Sequence, residues 1–215
     1  MFVLVEHNSI ANQFLAELRD KVIQKDRARF RKNMERIGML LAYEISKTLS
    51  YKNQTVTTPL GDVVTPVPAN SPVIATILRA GLPLFQGVLS CFEQADTAFI
   101  GAYRKHTDLH HTDFSIQLDY ISTPSLENKV LIITDPMLAT GKSIAQTIDE
   151  LAKFGKPACI HLVAVVASKH GVEFLKNKYP SLTIWTAAID EHLNDQFYII
   201  PGLGDAGDLS FGEKL

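Results

Sequence analysis

The sequence predicts an α/β fold, a parallel sheet flanked by helices, in one domain over residues 1–215. Short apolar runs rich in β-branched residues, such as Val130-Leu131-Ile132-Ile133, alternate with helical patterns between residues 73 and 187. That alternation is how a parallel sheet covered on both faces reads. Several of the loops place Arg, Thr or Gly just after a strand, where open α/β sheets bind ligands. The 215 residues are 46% hydrophobic, enough for one core of that size, and 20% charged, as is ordinary.

The elements follow in order. The first part reads as helical, with Asn8 or Ser9 as cap of a helix reaching Arg19. A longer helix starts near Asp26 and carries Phe30, Met34, Ile37, Leu41 and Ile45 at helical spacing. Residues 54–67 alternate around Pro59-Leu60-Gly61-Asp62, which predicts a hairpin. Then come strand Val73–Leu78, helix Leu82–Phe92 and strand Thr97–Tyr103. Residues 104–128 are too long for an ordinary strand-to-helix connection and predict a projecting hairpin arm or a lid. Strand Ile160–Ala167, a helix near Gly171–Lys178 and strand Leu182–Ala187 complete the series.

Composition excludes some function classes. A net charge of −2 gives no sign of a nucleic-acid or membrane partner. Met1–Glu6 lacks the basic lead and apolar length of a signal peptide, and no apolar run reaches a membrane span. Cys91 and Cys159 lie far apart without metal spacing, which predicts buried free thiols and a cytoplasmic protein. His106, His110 and His111 lack acidic or cysteine partners and read as exposed loop residues. The basic run Lys25, Arg27, Arg29, Arg31, Lys32 and Arg36 reads as a solvated helix face.

Residues 129–154 carry the strongest chemical signal. The strand ends in Thr134-Asp135, crosses Pro136-Met137-Leu138-Ala139 and reaches Thr140-Gly141-Lys142-Ser143 before a helix with Ile144, Ile148, Leu151 and Ala152 on one face. A helix start leaves N–H groups unpaired, so an anion can settle there. Gly141-Lys142-Ser143 looks like the end of a Walker A motif, but position 136 holds proline where that motif needs glycine. Two readings remain open on this segment alone: a Thr-Gly phosphate cradle beside an acidic residue, or an ordinary turn with Thr140 or Ser143 as N-cap.

Other strand ends add to it. Arg79, in Ile77-Leu78-Arg79-Ala80-Gly81, and Arg104, in Gly101-Ala102-Tyr103-Arg104, follow successive strands. Two converging guanidiniums suit a diphosphate, which arginine grips in bidentate fashion. Tyr198–Asp208 carries glycines at 202, 204 and 207, so the chain folds closely and offers main-chain ligands.

Taken together, Ile77–Gly81, Gly101–Arg104, Asp135–Ser143 and Tyr198–Asp208 resemble the motifs of uracil phosphoribosyltransferases, in that family's order. The similarity extends to Phe30-Arg31 and Leu41–Glu44 and covers nearly the whole chain. The resemblance implies a type I phosphoribosyltransferase fold with N-terminal helices and a small hood. It implies transfer of phosphoribosyl from phosphoribosyl diphosphate (PRPP) to N1 of uracil, giving UMP and diphosphate. Magnesium (Mg2+) is expected to arrive with PRPP, with no metal held by the protein alone. Carried over by position, Asp135, Pro136, Met137, Leu138, Ala139, Thr140, Gly141, Lys142 and Ser143 bind PRPP, together with Arg79, Arg104 and Asp205. Ile199, Gly204, Asp205 and Ala206 bind uracil, and the catalytic set is Arg79, Arg104, Asp135 and Asp205. A homodimer or higher homo-oligomer is the family expectation, and GTP activation of some members makes the basic run a candidate effector site. Two departures stand out. Lys142 occupies a usual glycine position, and 104–128 lacks the family's Tyr-x-x-Lys-Leu-Pro wording. The alternatives are a UMP- and RNA-binding regulator on the same fold, or the same transfer to another base.

Overall fold

The computed structural model of the chain describes residues 1–106 and 114–213, and of residues 102–106 and 114–119 the backbone alone. A short strand, β1 (Phe2–Val3), opens the chain where the sequence reads as helical. Two residues are too few to show a strand's period, so only pairing with Trp185 and Thr186 reveals it. Ser9 then caps α1 (Ile10–Arg19), accepting from Ala11 N–H at 3.3 Å, and Asn12 completes the reciprocal capping box. Asp26 caps α2 (Arg27–Ser46) by accepting from the N–H groups of Ala28 and Arg29 at 3.1 Å. All five residues of the predicted α2 stripe are buried.

The predicted hairpin around Pro59-Leu60 forms from β2 (Tyr51–Thr58) and β3 (Gly61–Pro68), as a separate two-stranded ribbon exposed almost throughout. After it come β4 (Val73–Leu78), α3 (Leu82–Cys91), β5 (Asp96–His106), β6 (Phe114–Ser122), β7 (Val130–Thr134) and β8 (Met137–Leu138). Next are α4 (Lys142–Leu151), β9 (Cys159–Ser168), α5 (Lys169–Lys178) and β10 (Thr183–Asp190). The described chain ends with β11 (His192–Leu193), β12 (Ile199–Ile200) and α6 (Ala206–Phe211). Each strand and helix predicted between residues 73 and 187 is present, its ends moved by a turn or less.

The main sheet runs β1-β10-β9-β7-β4-β5-β6, with β8 paired to β9. Its pairings are parallel except β5–β6. From β4 the chain builds outward through β5 and β6, then returns to lay β7 on β4's other side. Strand order thus reverses between β4 and β7, and the crevice beyond their carboxyl ends is where such sheets take ligands.

Side chains alternate across the sheet. Ile74, Ile132, Val163 and Val165 pack with α2 and α3 residues such as Met34, Ile37, Leu84 and Val88. Val73, Ala75, Leu131, Ile133, Leu162 and Ala164 pack with Ile144, Ile148, Leu151, Val172 and Leu175 of α4 and α5. Helices therefore cover both faces, as predicted. Ala152 leaves the predicted α4 face: it begins a 3-10 turn and is exposed. Helices α2 and α3 touch at backbone distance. A Cβ on Gly87 would sit 1.9 Å from Glu35 O, and one on Gly38 would sit 2.4 Å from Leu84 O.

Two expectations need correction. The hairpin expected over residues 104–128 forms, but its first strand does not end at Tyr103. β5 continues to His106 and β6 returns antiparallel to it, from His106 opposite Phe114 to Phe99 opposite Ser122. Since Leu78 pairs with Gly101, the β5–β6 ribbon runs on past the end of β4. Arg104 therefore lies within that ribbon rather than at a strand end. Its side chain, that of His106, and all of His110 and His111 lie outside the described residues. The cysteines are not both buried either. Cys91 is exposed at the end of α3 and Cys159 is half-buried at the start of β9.

Cys159 lies beside a buried histidine. Trp185 Nε1–H donates to His161 Nδ1 at 3.0 Å, so the other ring nitrogen of neutral His161 carries the proton and faces Cys159 Sγ at 3.5 Å. Burial pushes the His161 imidazole down from 6.5 to about 4. The folded state thus resists a proton that the unfolded chain accepts. Stability present above the unfolded value of 6.5 is lost as the pH falls toward 4. That loss is on the order of 3 kcal/mol by linkage. Denaturant titrations across this window are expected to show the decline in the wild type and a flatter profile in His161→Gln, whose amide oxygen still accepts from Trp185.

Candidate functional site

The β7–α4 loop is fastened from beneath. Thr134 Oγ1 donates to Ala75 O at 3.0 Å, tying the end of β7 to β4. Asp135 N–H donates to Val163 O at 3.1 Å, and Pro136 O accepts from the N–H groups of Val165 and Val166 at 3.0 Å. Met137 N–H closes an Asx turn onto Asp135 Oδ1 at 3.2 Å. On the far side, Ser168 Oγ donates to Ala139 O while accepting from Gly171 N–H at 2.8 Å. These bonds, with the β8–β9 pairing, fasten the loop to β4 and β9.

The loop then enters α4 through Gly141, whose φ of 79° is left-handed, and no side chain caps the helix. The first-turn N–H groups of a ten-residue helix are thereby left facing the loop, as anion binding requires. Neither Thr140 nor Ser143 is the N-cap. The hydroxyl of Thr140 accepts only a long bond of 3.4 Å from Lys142 N–H. A Cβ on Gly141 would sit 2.8 Å from the Phe174 ring. Lys142 is exposed and has no positive φ, so it sits in the first turn of α4 without backbone strain.

The β4–α3 turn approaches the same end of the sheet. A Cβ on Gly81 would lie 2.4 Å from Thr76 Oγ1 and 2.8 Å from Thr134 O, so the turn packs directly against the end of β7. Arg79 projects from it into solvent and pairs with Asp208, its Nη2 lying 3.1 Å from Asp208 Oδ1.

Residues 191–208 fold over the crevice as a hood. β11 and β12 pair antiparallel, and the turn after β12 is locked by two residues that sequence reasoning passed over. Asp190 ends β10 nearly buried and accepts from Gly202 N–H at 2.9 Å. Arg19 grips both Asp190 oxygens at 2.9 Å and donates to Gly202 O at 3.3 Å. The signal for Asp190 was its place at a strand end; nothing in the sequence pairs it with Arg19, 171 residues away. Gly202 (φ 57°) and Gly204 (φ 91°) are both left-handed. Asp205 caps α6, accepting from Asp208 N–H at 2.9 Å.

The three segments converge. Gly207 lies against Ala80, with an added Cβ 3.6 Å from the Ala80 methyl, so the hood meets the Arg79 turn. A cavity of about 550 Å³ joins Thr140 of the phosphate loop to His170 and to Glu191–Asp195 and Phe197 of the hood. The other predicted site residues do not line this cavity: Asp135 is half-buried, Gly204 and Asp205 are exposed, and Ile199 and Ala206 are buried in the core. Half of the basic run is spent elsewhere. Arg31 donates to Ser210 O at 2.7 Å, Lys32 pairs with Glu35, and Arg36 donates to Asn33 while lying 4.9 Å over the Phe14 ring.

Comparison with known proteins gives a consistent result. The family described as uracil phosphoribosyltransferase matches residues 4–213. A protein of that name from Porphyromonas gingivalis is 49% identical over 98% of this chain and 96% of its own length. One from Pyrococcus furiosus is 37% identical over 94% of this chain and 86% of its own. Among solved structures, a protein of Aquifex aeolicus superposes with TM-score 0.86 at 29% identity, covering 99% of this chain and 98% of that one. A hypoxanthine phosphoribosyltransferase of Staphylococcus aureus shares the fold, with TM-score 0.50 at 12% identity over 76% of each chain.

Within the β7–α4 loop, Gly141 is the position where backbone and space both exclude a side chain. Gly141→Ala is expected to lower stability by roughly 1–3 kcal/mol, from positive φ and overpacking. It should also weaken inorganic phosphate binding, read by calorimetric titration, whereas Lys142→Ala should keep the wild-type melting temperature.

Proposed function

The chain belongs to the uracil phosphoribosyltransferase family, and we propose that it moves the phosphoribosyl group of PRPP onto N1 of uracil, releasing diphosphate and forming UMP for pyrimidine salvage. One observation supports this most: the phosphate loop ending at Gly141, the Arg79 turn and the 191–208 hood all meet over the point where strand order reverses.

In this reading the first turn of α4, with Thr140 and Ser143, holds the 5′-phosphate, and Asp135 faces the ribose hydroxyls. Breaking the bond from ribose to diphosphate builds positive charge on the sugar and negative charge on the leaving group. No protein nucleophile is required; the site holds both partners in line and stabilises the departing charge. Arg79 and Arg104 suit that task by bidentate pairing. Magnesium bound with PRPP supplies further charge neutralisation. Among the described residues no group of three or more His, Cys, Asp or Glu is placed to hold a metal. Lone carboxylates such as Asp135 and Asp205 fit an ion whose remaining ligands are water and phosphate oxygens.

Uracil presents acceptor, donor and acceptor at O2, N3 and O4. Main-chain N–H and C=O groups at Ile199 and around Gly204–Ala206 suit that pattern. Cytosine sets an amino donor where O4 should accept, and an unpaired buried polar group costs roughly 1–3 kcal/mol. The Arg19–Asp190 pair supports the reading by holding Gly202, two residues before this loop, at both its N–H and C=O.

We also infer that the protein works as a homodimer and that β2–β3 makes the contact. Isolated two-stranded hairpins are marginal in water, and this one exposes Leu60 fully, with Val56, Val63 and Val64 at 38%, 48% and 61%. Val56 and Val63 stand directly opposite each other and share one face. No helix among the described residues is long and apolar enough to cross a membrane.

Diphosphate release from PRPP with magnesium and each free base in turn is expected with uracil and to be at least about tenfold slower with cytosine. Arg79→Ala should lower kcat/KM by on the order of 100-fold, the loss of one charge-stabilising donor. Equal turnover of both bases would remove the main-chain recognition. Val56→Lys combined with Val63→Lys should shift the mass in light scattering from dimer to monomer with the circular dichroism spectrum unchanged; an unaltered mass would place the interface elsewhere.

A further inference from the structure

Arg79 is read above as a diphosphate ligand, yet its Nη2 is already engaged. It donates at 3.1 Å to Asp208 Oδ1 and at 3.1 Å to Gly212 O. Nη2 carries two hydrogens, and two acceptors take both. A guanidinium has two edges on which a phosphate can be held by a pair of parallel N–H bonds. One edge joins Nη2 to Nε and the other joins Nη2 to Nη1. With Nη2 occupied, neither edge is whole, so Arg79 as it stands cannot grip a phosphate in bidentate fashion.

Both acceptors come from the C-terminal segment, 129 and 133 residues away. The two side chains are 41% and 33% exposed, which makes this a weak ion pair that an incoming charge can displace. Asp208 is also joined to the hood: its N–H donates to Asp205 Oδ1, the cap of the short helix that begins at Ala206.

We propose that Asp208 is a positioning residue that parks Arg79. Its carboxylate stands in for a phosphate oxygen until diphosphate displaces it, and the exchange links diphosphate occupancy to the helix behind Gly204–Ala206. This rests on the reading of Arg79 as a diphosphate ligand. Arg79 changes partner from one anion to another, and no bond of the substrate is touched. Removing the Asp208 charge weakens the competitor for Nη2.

The test is calorimetric titration of magnesium diphosphate into wild type, Asp208→Asn, Arg79→Ala and the double variant, with Asp208→Ala as a second neutral replacement. Asp208→Asn is expected to bind about two- to fivefold more tightly, the worth of the exposed pair that diphosphate no longer has to displace. It should lower KM for PRPP more than it changes kcat. Arg79→Ala should bind more weakly, and adding Asp208→Asn to it should change nothing further. Unchanged or weaker binding in both neutral variants, with Arg79→Ala still impaired, overturns the parking role and leaves the reading of Arg79 standing. A gain that persists without Arg79 also overturns it, because the effect is then one of net charge. Wild-type binding by Arg79→Ala would remove the reading of Arg79 and the parking role together.

Discussion

The contact between the turn at Gly81 and the carboxyl end of β7 governs the crevice, because it sets how close two otherwise independent loops can come. The α-carbon hydrogen of Gly81 occupies the only space left between Thr76 Oγ1 and Thr134 O, where a methyl group would meet atoms at 2.4 and 2.8 Å. Thr134 in turn bonds back to β4 through Ala75 O. The loop carrying Arg79 and the loop carrying Asp135 are thus held to one another by buried, close-packed atoms that cannot slide. The start of α4 follows directly from the loop held at that junction.

The hood is fastened by a different kind of force. It buries few large side chains of its own, so polar bonds over long chain separations hold it. Arg19 and Asp190 form a two-point pair with side-chain exposures of 22% and 7%. Breaking one partner of so sheltered a pair leaves a charge uncompensated, which is costlier than losing a surface pair. The same carboxylate accepts from Gly202, so the bond that joins α1 to β10 also fixes the turn before the proposed base-binding loop. The N-terminal helices therefore serve the site although none of their residues lines it.

Much of this was legible in the sequence, for identifiable reasons. Val130–Ile133 and the α2 stripe have the plain periods of a buried strand and an amphipathic helix, and both form as read. Glycines 141, 202 and 204 marked places where the chain folds closely, and the structure puts all three at positive φ. What escaped was non-local. β1 is visible only through its pairing with β10, and Arg19 means nothing until Asp190 is beside it. The hairpin at 51–68 was read, but not that it stands apart from the sheet, since period-2 alternation says nothing about what a face meets. The Arg79–Asp208 pair was hidden for the same reason. Each residue sits in a recognisable motif, and only the fold shows that one motif holds the other.

The departure at Lys142 shows how the labour is divided within the phosphate loop. If side chains did most of the binding there, lysine in place of glycine would rebuild the site. In the proposed reading the work falls to the main chain instead: α4 begins without a side-chain cap, and Gly141 carries the left-handed turn at its start. Position 142 is already in the helix, with an ordinary φ and an exposed side chain, so its identity is released from any backbone demand. Gly141 has no such freedom, being held between Phe174, Leu175 and Gly171 O. A site built from amides at a helix start can thus tolerate a bulky cation one residue from a position where it tolerates nothing.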